Sequence, residues 1–185
     1  MSVMLHKSLP TLQNVPDTKR NMAANALRRG LVSTPHANYF VTACLEPRVT
    51  QLTGAIARHV SAEAYSMSDD AVWSLRCATV MPDHIHLLFT LGEHLTLSQS
   101  IGRLKSKTRT AFDLTKANWQ ENFYDHHLRA NDSVEATIRY LHQNPYQAGL
   151  ITAAETWPHF YCCEEDWAWF EKLTDAGQPY PEWLL

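Results

Sequence analysis

Between Val72 and Leu91 the chain reads VWSLRCATVMPDHIHLLFTL. Two runs of apolar and β-favouring residues are divided only by Met81-Pro82-Asp83. This predicts a strand over Val72–Met81, a tight turn and a strand over His84–Leu91, paired as a hairpin. On a strand the side chains alternate faces, so His84 and His86 share one face, about 6–7 Å apart along the chain. Ile85, Leu87 and Phe89 then share the other face, towards a core. Two readings of the histidine pair stand on this segment alone. They are two surface side chains on a half-exposed strand, or two imidazoles set as ligands for a divalent metal.

The remaining elements follow from local pattern. Asn38–Glu46, NYFVTACLE, is aromatic and β-favouring and reads as a strand. Val49–Ala64 carries apolar residues at helical spacing and predicts a helix. Over Thr96–Phe112, Leu97, Ile101, Leu104, Thr108, Ala111 and Phe112 fall on one helical stripe. Asn122–Arg129 is short, aromatic and extended. Asn131, Asp132 and Ser133 offer an N-cap for a helix carrying Val134, Ile138 and Leu141, which is expected to end near Asn144-Pro145 because a residue before proline disfavours the α region. This order of strands and helices predicts an α+β fold of ferredoxin-like type, an antiparallel sheet with helices packed on one face. Residues 1–36 read as an N-terminal extension, with a short basic helix around Thr18–Arg29. Residues 37–165 form the main domain and 166–185 a tryptophan-rich C-terminal tail.

Composition removes several classes of protein. No apolar run in the 185 residues approaches the roughly 18–20 that a membrane helix needs, and the N-terminus lacks the apolar centre of a signal peptide. Four cysteines, Cys44, Cys77, Cys162 and Cys163, form no CxxC pair, which favours reduced thiols and a cytoplasmic protein. A formal charge of −3 argues against a uniformly positive DNA-coating surface. A local strip remains: Arg103, Lys105, Lys107 and Arg109 flank the apolar stripe of the Thr96–Phe112 helix and could track a phosphate backbone.

A second segment gives the histidine pair a use. In IRYLHQNPYQAGL, Tyr140 and Asn144 lie four residues apart and share a helix face, beside the buried stripe. Asn144 offers an amide oxygen as a third ligand to His84 and His86. A tyrosine hydroxyl is a feasible nucleophile towards a phosphodiester whose phosphoryl oxygen is polarised by a metal. His142 falls on another face of that helix and is not counted as a ligand.

The blocks VMPDHIHLLFTL, NFYDHHLR and RYLHQNPYQAGL resemble the signature blocks of the IS200-like tyrosine transposases, in the branch of the REP-associated tyrosine transposases. The likeness runs from about Asn38 to Tyr161. It implies that His84 and His86 are the HUH metal pair, Asn144 the polar third ligand and Tyr140 the catalytic tyrosine. It further implies Mg²⁺ or Mn²⁺ as cofactor and single-stranded or hairpin DNA as partner. Cleavage would pass through a 5′-phosphotyrosine bond that leaves a free 3′-hydroxyl for later rejoining. Active chains of this kind would work as monomers or homodimers. The rival readings are a DNA-binding regulator that keeps the fold without the chemistry, and a metal hydrolase without a covalent step. Tyr146 departs from the valine found at its position in many relatives.

Overall fold

A computed structural model describes residues 33–112 and 116–184. The expected basic helix at Thr18–Arg29 and the N-terminal extension before residue 33 lie outside the described residues. The strands are β1 (Asn38–Glu46), β2 (Trp73–Met81), β3 (His84–Leu91), β4 (Asn118–Trp119), β5 (Tyr124–Leu128) and β6 (Phe160–Cys162). The helices are α1 (Gly54–Asp69), α2 (Leu97–Thr108), α3 (Val134–Gln147) and α4 (Glu164–Phe170). β1, β2, β3 and β5 pair in the order β5-β1-β3-β2, all antiparallel, the ferredoxin-like arrangement expected. β4 extends β1 and β6 adds a strand beside β2.

The β2–β3 hairpin has the predicted boundaries to within a residue. One irregularity in it matters. Between Leu75 and Cys77 the register shifts, leaving Arg76 as the extra residue of a bulge, which reverses the alternation of faces. Leu75, Ala78 and Val80 therefore enter one core together with Ile85, Leu87 and Phe89, while Cys77 enters another with Leu88. The bulge also turns Arg76 towards α4, where its guanidinium donates two hydrogen bonds to Asp166, at 2.7 and 2.8 Å.

Helices cover both faces of the sheet. α1 and α2 pack on the face expected, through Ala57, Val60, Ala64, Leu97, Ile101 and Leu104. α3 and α4 cover the opposite face, through Ile138, Leu141 and Phe170 against Leu88 and Leu128. The sequence signal is the near-continuous burial of β3: Leu88 shares a face with His84 and His86, so that face too is closed. The tryptophan-rich end is accordingly part of the fold rather than a tail beginning at residue 166, a boundary that falls inside α4. Among the described residues no helix is long and apolar enough to cross a membrane, and all four cysteines are free.

Helix ends depart from expectation: α1 runs on past Ala64 to Asp69, α2 stops at Thr108 and gives way to a 3₁₀ turn over Arg109–Ala111, and two further ends have a visible cause. α1 begins at Gly54, not Val49, because the Gln51 and Leu52 amides both donate to the Pro82 carbonyl, each at 2.9 Å, and Gly54 has φ +53°, which favours glycine. The loop is thereby fastened to the hairpin turn. α3 continues through Pro145 to Gln147 and stops where Gly149 takes φ +67°.

Asp166 is the side chain that locks α4 in place. It is 5% exposed and its Arg76 partner 24%. Burial pushes the carboxyl up, but the Arg76 hydrogen bonds and charge outweigh this and hold it below its ordinary value. The group therefore contributes stability in full above the unfolded carboxyl value, near pH 4, and loses it as pH falls through the lower folded value. Asp166→Ala should cost about 3 kcal/mol at pH 7, by leaving Arg76 half-buried and unpaired. The cost should shrink as pH drops below about 4, measured by denaturant unfolding at both pH values.

Candidate active site

β1, β2 and β3 carry the centre of the site. Antiparallel register sets Thr42 of β1 and Thr79 of β2 on either side of His86, and Cys44 and Met81 on either side of His84. Side chains paired in this way project from the same face. His84 Nε2 and His86 Nε2 come within 3.0 Å of each other. Each ring is anchored at its other nitrogen. Thr42 Oγ1 lies 2.8 Å from His86 Nδ1, and the Asp83 carboxylate lies 2.6 Å from His84 Nδ1. Arg48 in turn donates to Asp83, and the amide of Leu45 donates to the Asp83 carbonyl at 2.9 Å.

The electrostatics agree with the geometry. His86 is 4% exposed. Burial, and then the neighbouring His84 and Arg48, hold its imidazole well below the ordinary value, so it is neutral at pH 7 with a ring lone pair available. For Asp83, burial opposes ionisation, but hydrogen bonds from His84 and Arg48 prevail and keep the carboxyl far below its usual range. Two imidazoles whose Nε2 atoms converge, each oriented through its far nitrogen by an oxygen, could supply two of the donors of a divalent metal site. Among the described residues no group of three or more His, Cys, Asp and Glu is placed to hold a metal. A cation at the two Nε2 atoms would need its further ligands from a neutral oxygen, from water or from substrate.

Tyr140 approaches from α3. Its hydroxyl is 3.5 Å from His86 Nε2 and its ring packs edge-on against both His86 and Phe40, with centroids at 5.2 and 5.8 Å. Phe40 also stacks on His86, at 5.6 Å and 22°, so the three rings are in mutual contact. Asn144 stands one turn further along α3, half-buried. Thus His84, His86 and Tyr140 meet, and Asn144 lies on the tyrosine's helix. His142 is turned away, its Nε2 donating to the Gly177 carbonyl at 3.2 Å among Phe160, Trp167 and Phe170.

The basic strip is placed elsewhere. Arg103, Lys105 and Lys107 belong to α2, and Arg109 begins the 3₁₀ turn after it, on the face of the sheet opposite the histidines. Arg103 pairs with Asp70 and Lys107 with Glu63. Lys105 donates to the carbonyls of Gln120 and Asn122, at 2.7 and 3.0 Å.

Sequence reasoning missed four contributors to the site. Phe40 and Thr42 alternate with the buried Tyr39, Val41 and Ala43, so their common face was readable, but not the register that brings Thr42 opposite His86. Arg48 and Asp83 looked like loop and turn residues. Thr42→Val should leave His86 neutral and in place but without its anchor. A fall of about 10- to 100-fold in Mn²⁺ affinity is expected, read by Mn²⁺ titration of the folded variant; unchanged affinity would show that Thr42 does not orient the ligand.

The family model described as "Transposase IS200 like" matches residues 33–144, a span that includes both histidines, Tyr140 and Asn144. The REP-associated tyrosine transposase of Escherichia coli (strain K12) is 25% identical over 120 residues, covering 65% of this chain and 73% of that protein. A putative REP-associated tyrosine transposase of Haemophilus influenzae (strain ATCC 51907 / DSM 11121 / KW20 / Rd) is 26% identical over 141 residues, covering 65% and 77%. A solved structure of a REP-associated tyrosine transposase bound to a REP hairpin shares the fold, with TM-score 0.58 and 23% identity over 69% of this chain and 78% of that one. With the model spanning more than half of its length and both sequence blocks of the site, the chain belongs to the IS200-like transposase family.

Proposed function

We propose that the chain nicks and rejoins single-stranded DNA next to a hairpin, with Tyr140 as nucleophile. The observation that carries this is the Tyr140 hydroxyl lying 3.5 Å from the Nε2 of one of two converging histidines. In the cleaving step the phenol gives up its proton and its oxygen bonds to the scissile phosphorus. The bond from phosphorus to the 3′ oxygen breaks, and that oxygen takes up a proton to leave as a 3′-hydroxyl. Reversal by a 3′-hydroxyl joins strands and frees the tyrosine, so the phosphodiester count is conserved without an external energy source.

His84, His86 and the Asn144 amide oxygen would hold Mg²⁺ or Mn²⁺, which polarises a phosphoryl oxygen and spreads the developing charge. Phe40 and the stacked His86 ring give Tyr140 a rigid wall, and Thr42 and Asp83 fix the ring orientations. The hairpin preference is taken from the REP-associated relatives. Arg103 and Lys107 are engaged by acidic neighbours and Lys105 by carbonyls, so phosphate contact from the α2 strip falls first to Arg109. DNA seated over Tyr140 reaches that strip only around the edge of the sheet.

The test is incubation with end-labelled single-stranded hairpins bearing short flanks, cut from REP-like repeats, in Mn²⁺. A protein–DNA adduct that survives denaturing electrophoresis, with label on the 5′-phosphate side, is expected. Tight hairpin binding with no adduct would instead identify a non-catalytic regulator.

A further inference from the structure

A helix interior ordinarily excludes proline, which brings no N–H to the carbonyl four residues back and presses its ring against it. In α3 that carbonyl belongs to Leu141, because Pro145 lies inside the helix. The acceptor is nonetheless satisfied. Thr79 Oγ1 donates to the Leu141 carbonyl at 3.0 Å, and both residues are fully buried. Thr79 belongs to β2 and is the direct strand partner of His86, so its side chain stands beside the imidazole, on the face that the bulge at Arg76 assigns to it. Leu141 is the residue after Tyr140. A single hydrogen bond therefore joins the neighbour of the tyrosine to the neighbour of the histidine that the tyrosine faces.

We infer that Thr79 is a positioning residue for Tyr140. Its hydroxyl replaces the N–H that Pro145 lacks, and in doing so it docks α3 on the sheet at the height that sets Tyr140 against His86. With an N–H donor at 145 the Leu141 carbonyl, which has two lone pairs, would be shared between the helix and Thr79, and the Thr79 hydroxyl would no longer be needed to satisfy it. The inference rests on Tyr140 being the nucleophile. Its chemistry is that of geometry: a displacement of about 1 Å at a reacting group costs on the order of 100-fold in rate, whereas hairpin binding draws on contacts elsewhere.

The experiment is a double-mutant cycle between positions 79 and 145, read by adduct formation at saturating hairpin DNA, by hairpin affinity and by melting temperature. Thr79→Val keeps the shape and removes the donor. It is expected to slow adduct formation about tenfold or more while hairpin affinity stays within about twofold. Thr79→Ser, which keeps the donor, should return the rate to within about threefold of the unsubstituted chain. In the Pro145→Ala background residue 145 supplies the missing N–H, and Thr79→Val should then cost less than about threefold. Thr79→Val cleaving at the parent rate, or losing the same factor in both backgrounds, overturns the inference. If Thr79→Val alone does not fold, the Pro145→Ala pair decides: equal stability and rate with and without Thr79 support the inference, and a further loss overturns it. Absence of any adduct from the unsubstituted chain would defeat the reading of Tyr140 itself, a result distinct from an adduct that forms without coupling between positions 79 and 145.

Discussion

Tyr140→Phe is expected to abolish the covalent protein–DNA adduct and to lower strand cleavage by roughly 10⁴-fold or more, as loss of a nucleophile does in enzymes of covalent mechanism. The phenylalanine ring keeps the edge contacts to Phe40 and His86 and removes only the hydroxyl, which stands 3.5 Å from His86 Nε2. The loss in stability should stay near that of one ordinary hydrogen bond, about 1 kcal/mol, and hairpin affinity should remain within about twofold. Cleavage by Tyr140→Phe at the parent rate would show that water attacks the phosphodiester directly. The site would then be a metal hydrolase and the tyrosine a packing residue.

How far this site was legible in the sequence depends on which physical signal carried each part. The hairpin Val72–Met81 and His84–Leu91 was written in composition and in the Pro82-Asp83 turn, and the structure keeps its limits to within a residue. The pairing of His84 with His86 followed from strand alternation alone. Tyr140 and Asn144 shared a helix face by spacing. What joined the two segments in advance was a resemblance to a family, because no local pattern tells which helix face meets which strand face.

The parts that escaped were all matters of register and long-range satisfaction. Thr42 reaches His86 only through the β1–β3 pairing. The bulge at Arg76, which decides the faces of Cys77 and Thr79, has no signature in SLRCAT. The end of α3 was misplaced for the same kind of reason. The rule that stops a helix before proline assumes that the freed carbonyl finds no donor, and Thr79, some sixty residues away in sequence, provides one. The basic residues of α2 show the converse. Their spacing suggested a phosphate track, while Asp70 and Glu63, remote in sequence, engage two of them.

His84→Ala is expected to remove Mn²⁺-dependent cleavage, by roughly 10³-fold or more, while the fold and hairpin binding persist. The two histidines differ in what their loss would do to the fold. His86 is 4% exposed, stacked on Phe40 and enclosed by Tyr140, so its truncation opens a cavity in the packing as well as removing a ligand. His84 is more exposed, and Asp83, which it leaves behind, still has the Arg48 guanidinium, so no buried charge is stranded. It is therefore the variant that separates metal binding from structure. Mn²⁺ titration should show the affinity lost, and thermal unfolding should be close to that of the parent chain. A collapsed melting transition would instead make the pair structural. Loss of hairpin binding in a folded variant would place the metal in recognition, not in cleavage. Mixing His84→Ala with Tyr140→Phe adds the test of assembly. Each variant keeps one half of the site, so cleavage restored by the mixture requires the tyrosine of one chain to act beside the histidines of another. A mixture as inactive as its components assigns both halves to the same chain.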